Sequence, residues 1–349
     1  MSFQFAAALP SQKGAVSKFL REVFGANPQT NSFQPPVLDW KYFSPHPAWS
    51  QPRSFVLHKD QEIVGHGGVW PIPLATEGEQ TQAIHLVDWA ASPAALGAGV
   101  HVLRSISQMA DVMITIGGSP DTRKILPKLG YQNGGVLRRY ARVVRPWLQM
   151  RTRTRQDWKT PLQFLRNASA ALRPLPRPPS TWRIEPVAQF GEEVAPALTR
   201  KSTSQLEIAP VRTIAGLNHV LACPAAEFSG FVVRDSSRLV GYFILVNVGH
   251  QARIVDLNVA SDHPDALAML CARAARTAAS DRRVAEIIAG TSSQKGENTW
   301  EKLGFRLRRE DRILYLDRRK RLGSHAILHL NLIDGDLAFL YDPERPYIS

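Results

Sequence analysis

The sequence predicts a mixed α+β chain built from two copies of one β-β-β-α-β-α-β unit, each a mostly antiparallel twisted sheet flanked by helices. Three observations predict this. Two alternating hairpins recur far apart in the chain, the landmarks after them recur at near-constant offsets, and a stretch rich in proline and arginine separates the copies.

The first hairpin is "SFVLHKDQEIVGHGGVWPI", Ser54 to Ile72, with a Lys-Asp turn between two apolar-alternating runs. The second is "GFVVRDSSRLVGYFILVNV", Gly230 to Val248. A further strand follows each ("AIHLVDWAAS" and "ARIVDLNVAS"), then a helical stretch, an apolar strand ending in Gly and Ser ("DVMITIGGS" and "AEIIAGTSS"), and the turns "LPKLGY" and "WEKLGF". Gly65 and Gly241 lie 176 residues apart, and Leu129 and Leu303 lie 174 apart. The late strands "RRYARVVRP" and "DRILYLDRR" are expected to close each copy.

These landmarks divide the 349 residues into a first unit over 1–146, a basic Pro/Arg-rich linker over 147–181 and a second unit with its tail over 182–349. Within the linker, Trp158, Leu162, Leu165 and Leu172 fall on one face of a short basic helix; that face is expected to dock on a domain rather than lie on a membrane. "RPLPRPP" is held extended by its prolines.

Charge is concentrated. Arg145 to Arg183 carries nine Lys/Arg against Asp157 alone, and Arg306 to Arg321 carries eight against Glu310, Asp311 and Asp317; together they account for the whole net charge of +13. An anionic partner would meet two patches rather than a uniformly basic protein, with the linker the candidate contact and nucleic acid the less favoured partner. No apolar run reaches membrane-spanning length, and two cysteines, Cys223 and Cys271, make no disulfide or zinc framework; a reducing cytoplasm fits. Asp334 and Asp336 around Gly335 read first as a turn, with amine binding the alternative, and no further ligand accompanies them to suggest a metal.

The stretch "VDWAASPAALGAGVHVL", Val87 to Leu103, runs from strand to helix through Gly97 and Gly99. Either a tight turn needs glycine there, or the amides of Leu96, Gly97, Ala98, Gly99 and Val100 hold an anion at the helix start. The corresponding loop of the second copy, "NVASDHPDALAMLC", has no glycine; Asp262 and Asp265 would repel an anion, and Asp262 reads as an N-cap ahead of Pro264.

This order of hairpin, strand, Gly-rich turn, helix, strand, helix and Leu-Gly-aromatic turn resembles the GNAT (GCN5-related N-acetyltransferase) superfamily in its tandem form. The opening "VLDWKYFSPHP" also resembles acyltransferase-like proteins associated with bacterial exopolysaccharide biosynthesis. The resemblance implies an N-acyltransferase using acetyl-CoA or another acyl-CoA as co-substrate. The pyrophosphate would sit on Leu96–Val100, the thioester carbonyl on an amide near Trp89 or Ala90, and the pantetheine arm near Ser119. Ala94 stands where the family has a long donor side chain.

An amine attacking a thioester needs a base. His85 and Asp88 on the cofactor strand are candidates, expected on opposite faces because they are three apart; His66 on the adjacent strand is a third. Tyr131, in the position of the aromatic turn, reads as core rather than acid. The acceptor would be a small-molecule or glycan amine, an amino sugar among them. Two alternatives stand beside this: an aminoacyl-tRNA-dependent ligase of the tandem type, and a non-catalytic binding protein.

Overall fold

The computed structural model describes residues 3–76, 79–154, 160–198, 207–260, 265–323 and 325–349. Asp262, Pro264 and Trp158 lie outside these residues.

Twelve strands form one mixed sheet: β1 Gln4–Ala7, β2 Ser54–Lys59, β3 Glu62–Pro71, β4 Ala83–Ala91, β5 Val112–Ile116, β6 Gln132–Val143, β7 Trp182–Val187, β8 Glu227–Asp235, β9 Arg238–Val248, β10 Gln251–Val259, β11 Glu286–Thr291 and β12 Arg306–Asp317. Their spatial order is β1-β2-β3-β4-β5-β12-β6-β11-β10-β9-β8-β7. Pairing is antiparallel except at β4/β5 and β10/β11. The helices used below are α1 Lys13–Phe24, α2 Ala98–Ile106, α3 Pro120–Ile125, α4 Pro146–Thr152, α5 Thr160–Ala171, α6 Ile214–Leu221, α7 Ala266–Ser280 and α8 Gln294–Lys302.

The repeat is visible in this order, with β2-β3-β4-α2-β5-α3-β6 matching β8-β9-β10-α7-β11-α8-β12. One expectation is corrected. The late strands do not close their own copies; β6 pairs with β11, and β12 pairs with β5, so each closes the other. The two long strands also pair with each other at the centre, joining both repeats into one sheet. Alternation in sequence fixes which face a residue occupies and says nothing of which edge its strand joins.

One sheet face is covered by α2 in the first half and α7 in the second. Val102, Leu103 and Ile106 bury against Ile84, Leu86 and Met113, and Leu270, Ala274 and Ala278 against Ile254 and Ile287. The opposite face gathers residues of both halves into a single core, Trp70 and Val87 from one and Tyr242 and Val255 from the other. The tail, Leu332 to Phe339, lies within that core as two 3-10 turns. Among the described residues no helix is long and apolar enough to cross a membrane.

The linker holds two helices, and its apolar stripe does not dock. Leu162 and Leu165 are 62% and 63% exposed, and Leu172 is 84% exposed. The face that packs is polar, through Asn167, whose Nδ2 donates to Gln149 Oε1 at 2.9 Å.

Candidate active site

β4 carries a bulge. Val87 faces Gly68 and Ala90 faces His66, so Asp88 and Trp89 together oppose only Gly67, and Asp88 takes φ +48°. The bulge also overturns the expectation about faces. Ala83, Val87 and Ala90 point into the cores on the inner face, whereas Ile84, Leu86 and Trp89 pack toward α2. One inserted residue shifts the alternation, so His85 and Asp88 share the inner face.

Both meet one buried polar cluster there. A short helix, Pro35–Leu38, continues into a π-turn, Asp39–Phe43, which turns Trp40, Lys41 and Tyr42 inward in succession. Lys41 Nζ donates to Asp88 Oδ2 at 2.6 Å and to Asp336 Oδ2 at 3.2 Å, and Tyr42 OH also donates to Asp88 Oδ2. Burial opposes the charge on Lys41, but the two carboxylates outweigh it and hold the ammonium above its usual pKa. Burial likewise opposes charge on Asp88, and Lys41 wins, keeping the carboxyl below its usual range.

The second half repeats this arrangement. Arg212 bonds Asp256 through Nε at 3.0 Å and Asp334 through Nη1 at 2.6 Å, and Tyr242 OH donates to Asp256 at 2.8 Å. Asp334 and Asp336 thus neutralise one buried cation in each half, and the tail is the strap between them. Sequence reading took this Asp-Gly-Asp first as a turn, with amine binding the alternative, and did not single out Lys41, Tyr42, Arg212 or Asp256. The near-repetition of Asp in "LVDWA" and "IVDLN" is the signal that pointed there.

The three candidate bases differ in what they have left to offer. His66 is fully buried with both ring nitrogens engaged, Nδ1 with Asp88 O at 2.9 Å and Nε2 with Ser54 Oγ at 3.0 Å. Asp88 is committed to Lys41 and Tyr42. His85 uses Nδ1 toward Asp334 O at 3.1 Å, and its Nε2 makes no hydrogen bond among the described residues. Burial lowers its pKa, so the ring is neutral at pH 7 with one nitrogen lone pair unused. Gly335 lies against this ring; a Cβ there would sit 2.8 Å from His85 Nδ1.

A cavity of about 70 Å³ opens beside this cluster, with His85 behind its wall rather than in it. Its walls include Trp70, the register partner of His85, and Asp334, whose carbonyl holds the His85 ring. Trp40, Arg53, Arg212, His46 and His219 complete the polar and aromatic lining. Trp40 stacks on His219 with ring centroids 4.9 Å apart, and His46 meets His219 edge-on at 4.7 Å. Burial lowers the pKa of His46 to about 3, with His219 and Arg53 adding to it, and that of His219 to about 4, with Arg53 adding.

On the other face, the Gly-rich loop has the shape expected of an anion cradle. Gly97 is the N-cap of α2 with φ +82° and open space around it. Its carbonyl accepts from His101 N, and among the described residues the amides of Leu96, Gly97, Gly99 and Val100 have no backbone acceptor. The amide of Ala98 is used within the loop, toward Ala95 O. Trp89 braces the loop from β4, its Nε1 donating to Gly99 O at 2.9 Å. Ala90 is buried at the end of the bulge.

β4 and β5 pair only from Ala83/Val112 to His85/Ile114 and then part. The first β5 residue beyond the parting, Thr115, is 5% exposed, and its Oγ1 has no partner; the Tyr131 hydroxyl on the same α2-covered face is also buried without one. The orphaned Thr115 hydroxyl, where the strands part, is what a polar chain bound there would satisfy. Tyr131 itself packs with Leu126 and Leu314, as core. Ser119 is the exposed N-cap of α3, accepting from Thr122 N at 3.1 Å.

No protein-family model and no curated protein matches the sequence. Solved structures do match in shape. A GCN5-related N-acetyltransferase from Anabaena variabilis superposes with a TM-score of 0.60 at 13% identity, over 93% of this chain and 75% of that one. Saccharomyces cerevisiae N-myristoyltransferase with bound myristoyl-CoA gives 0.61 at 12% identity, over 90% and 83%. A tandem GNAT protein from the clavulanic acid biosynthesis pathway gives 0.61 at 10% identity, over 91% and 99%. At such identities the likeness is one of architecture, and the bulged β4, the parted β4/β5 pair and the doubled topology agree with it: the chain has the GNAT fold in its tandem form.

Proposed function

We propose that the chain is an acyl-CoA-dependent N-acyltransferase whose co-substrate binds the first half. The observation that carries this reading is the free amides of Leu96, Gly97, Gly99 and Val100 at the start of α2, next to a strand pair that parts beside an orphaned Thr115 hydroxyl. The solved neighbours support it: N-acetyltransferases and an N-myristoyltransferase holding myristoyl-CoA share the fold. The residues present fit a pyrophosphate through main-chain donors alone, since Ala94 supplies no side-chain donor.

In this reading the acceptor sits in the cavity between Trp40, Trp70 and Asp334, its amine reaches past the Trp70 and Asp334 wall to His85, and His85 Nε2 takes its proton as nitrogen attacks the thioester carbon. The C–N bond forms, the C–S bond breaks, and the thiolate leaves with the electron pair. A main-chain amide at the Asp88–Trp89 bulge is the candidate donor to the developing oxyanion. The aromatic walls and clustered polar groups suit a polyhydroxylated amine such as an amino sugar, presented by its amine-bearing end.

The test is release of CoA thiol from acetyl-CoA and longer acyl-CoAs against a panel of amines including glucosamine. His85→Gln is expected to lower kcat at least about a hundredfold with little change in acyl-CoA affinity. Equal turnover by the variant contradicts the role of His85. A second reading, non-catalytic binding, is favoured by the saturation of Asp88 and His66; acyl-CoA binding without turnover toward any amine supports it.

A further inference from the structure

Helix α5 is docked the unusual way round. A surface helix ordinarily buries its apolar stripe and exposes its polar one. Here Leu162, Leu165 and Leu172 lie within one 3.6-period face and are 62%, 63% and 84% exposed, while Asn167 on the far side is 2% exposed and bonded to Gln149 of α4. Two more apolar side chains stand out nearby. Trp147 of α4, the helix on which α5 packs, is 60% exposed, and Leu307 of β12, beside Arg306 and Arg308, is 41% exposed.

The same region gathers positive charge from both basic segments of the sequence. Arg166, Arg306 and Arg308 make no ion pair within 4 Å among the described residues, although they come from positions up to 142 apart in the chain. Arg306 and Arg308 stand on β12, which pairs with β6, and α5 with Arg166 packs on β6, so the two basic segments meet at one place. Burial and then Arg306 and Arg153 lower the pKa of Arg166, and burial and Arg166 lower that of Arg308 against the opposing pull of Glu286. Arg166 Nη2 donates to Asn167 Oδ1 at 3.1 Å and Arg153 Nη1 to Gln163 Oε1, both neutral amide oxygens.

We propose that this face docks on an anionic phospholipid surface. Exposed leucines call for an apolar partner and unneutralised arginines for phosphates, and a lipid headgroup layer supplies both at one depth. A nucleic acid would satisfy the arginines and leave the leucines in water. The inference stands apart from the proposed reaction, since neither α5 nor these arginines touch the candidate active site.

The test is flotation of the full chain with phosphatidylcholine vesicles, with and without phosphatidylglycerol. Binding is expected only to the anionic vesicles, weakening as salt is raised. Leu165→Asp/Leu172→Asp and, separately, Arg306→Glu are each expected to cut partitioning at least about tenfold without moving the melting temperature, because all three side chains are exposed. Failure to bind anionic vesicles overturns the proposal, as does equal binding to neutral ones. Binding that survives the Leu→Asp pair, or that a short RNA duplex displaces at lower concentration than free phosphatidylglycerol vesicles do, overturns it in favour of a polyanion site.

Discussion

The Lys41 ammonium lies 2.6 Å from the Asp88 carboxylate, fully buried at the centre of the first half, and Arg212 holds Asp256 in the same way in the second. Each cation also holds one carboxylate of the tail, Asp336 and Asp334 respectively. The two halves are tied to each other through that strap, so a charge removed at either end is felt in the core.

Lys41→Met leaves two buried carboxylates without a cation and is expected to destabilise the fold by about 3–5 kcal/mol in denaturant unfolding. Asp336→Asn should cost clearly less, because Lys41 keeps Asp88. Equal losses for the two variants would show that the pair with Asp88 is not the dominant one.

Gly335 is extended, with φ −177°, so its backbone makes no demand for glycine; the demand is spatial. Gly335→Ala drives a methyl into the His85 ring and is expected to cost about 1–3 kcal/mol. It should also lower kcat, if acyl transfer is observed, by displacing the proposed base. Unchanged stability would mean the strap shifts freely, and would detach His85 from it.

His46 and His219 take up protons near pH 6.5 when unfolded but only near 3 and 4 in the fold. The unfolded state therefore binds more protons across that window, so their contribution is complete above pH 6.5 and is lost as the pH falls toward 4. Denaturant midpoints measured from pH 7 to 4.5 should decline. His219→Phe, which keeps a ring against Trp40, should make the decline shallower by about one proton. Parallel pH profiles for the two proteins would contradict the assignment.

Thr115→Val removes a buried hydroxyl that has no partner. It is expected to raise stability by about 1 kcal/mol while weakening acyl-CoA binding. A variant that gains stability and binds acyl-CoA unchanged would place the pantetheine arm elsewhere.

Much of the architecture was legible in the sequence because repetition reports it directly: Gly65 and Gly241, and Leu129 and Leu303, mark equivalent turns in the two halves. The exchange of β6 and β12 was not, since a strand's alternation is the same beside either neighbour. Local rules failed at the candidate site too. The bulge at Asp88 adds one residue that no propensity signals, and it alone brings Asp88 and His85 to one face. Lys41 and Arg212 were hidden because a lone cation in an apolar stretch declares its partner only through contacts made across the chain, here 47 and 44 residues away. Leu162, Leu165 and Leu172 were correctly grouped on one face, but periodicity cannot say whether a stripe faces the protein or its surroundings.

The central claim is that the main-chain amides from Leu96 to Val100 hold the diphosphate of an acyl-CoA. The most direct measurement is a calorimetric titration of acetyl-CoA and a long-chain acyl-CoA into the intact protein and into Gly97→Asp. The account predicts saturable binding by the first and none by the second, whose carboxylate would face the pyrophosphate from a position with open space around it. Equal affinity of the two proteins, or no binding by the unaltered one, would contradict it.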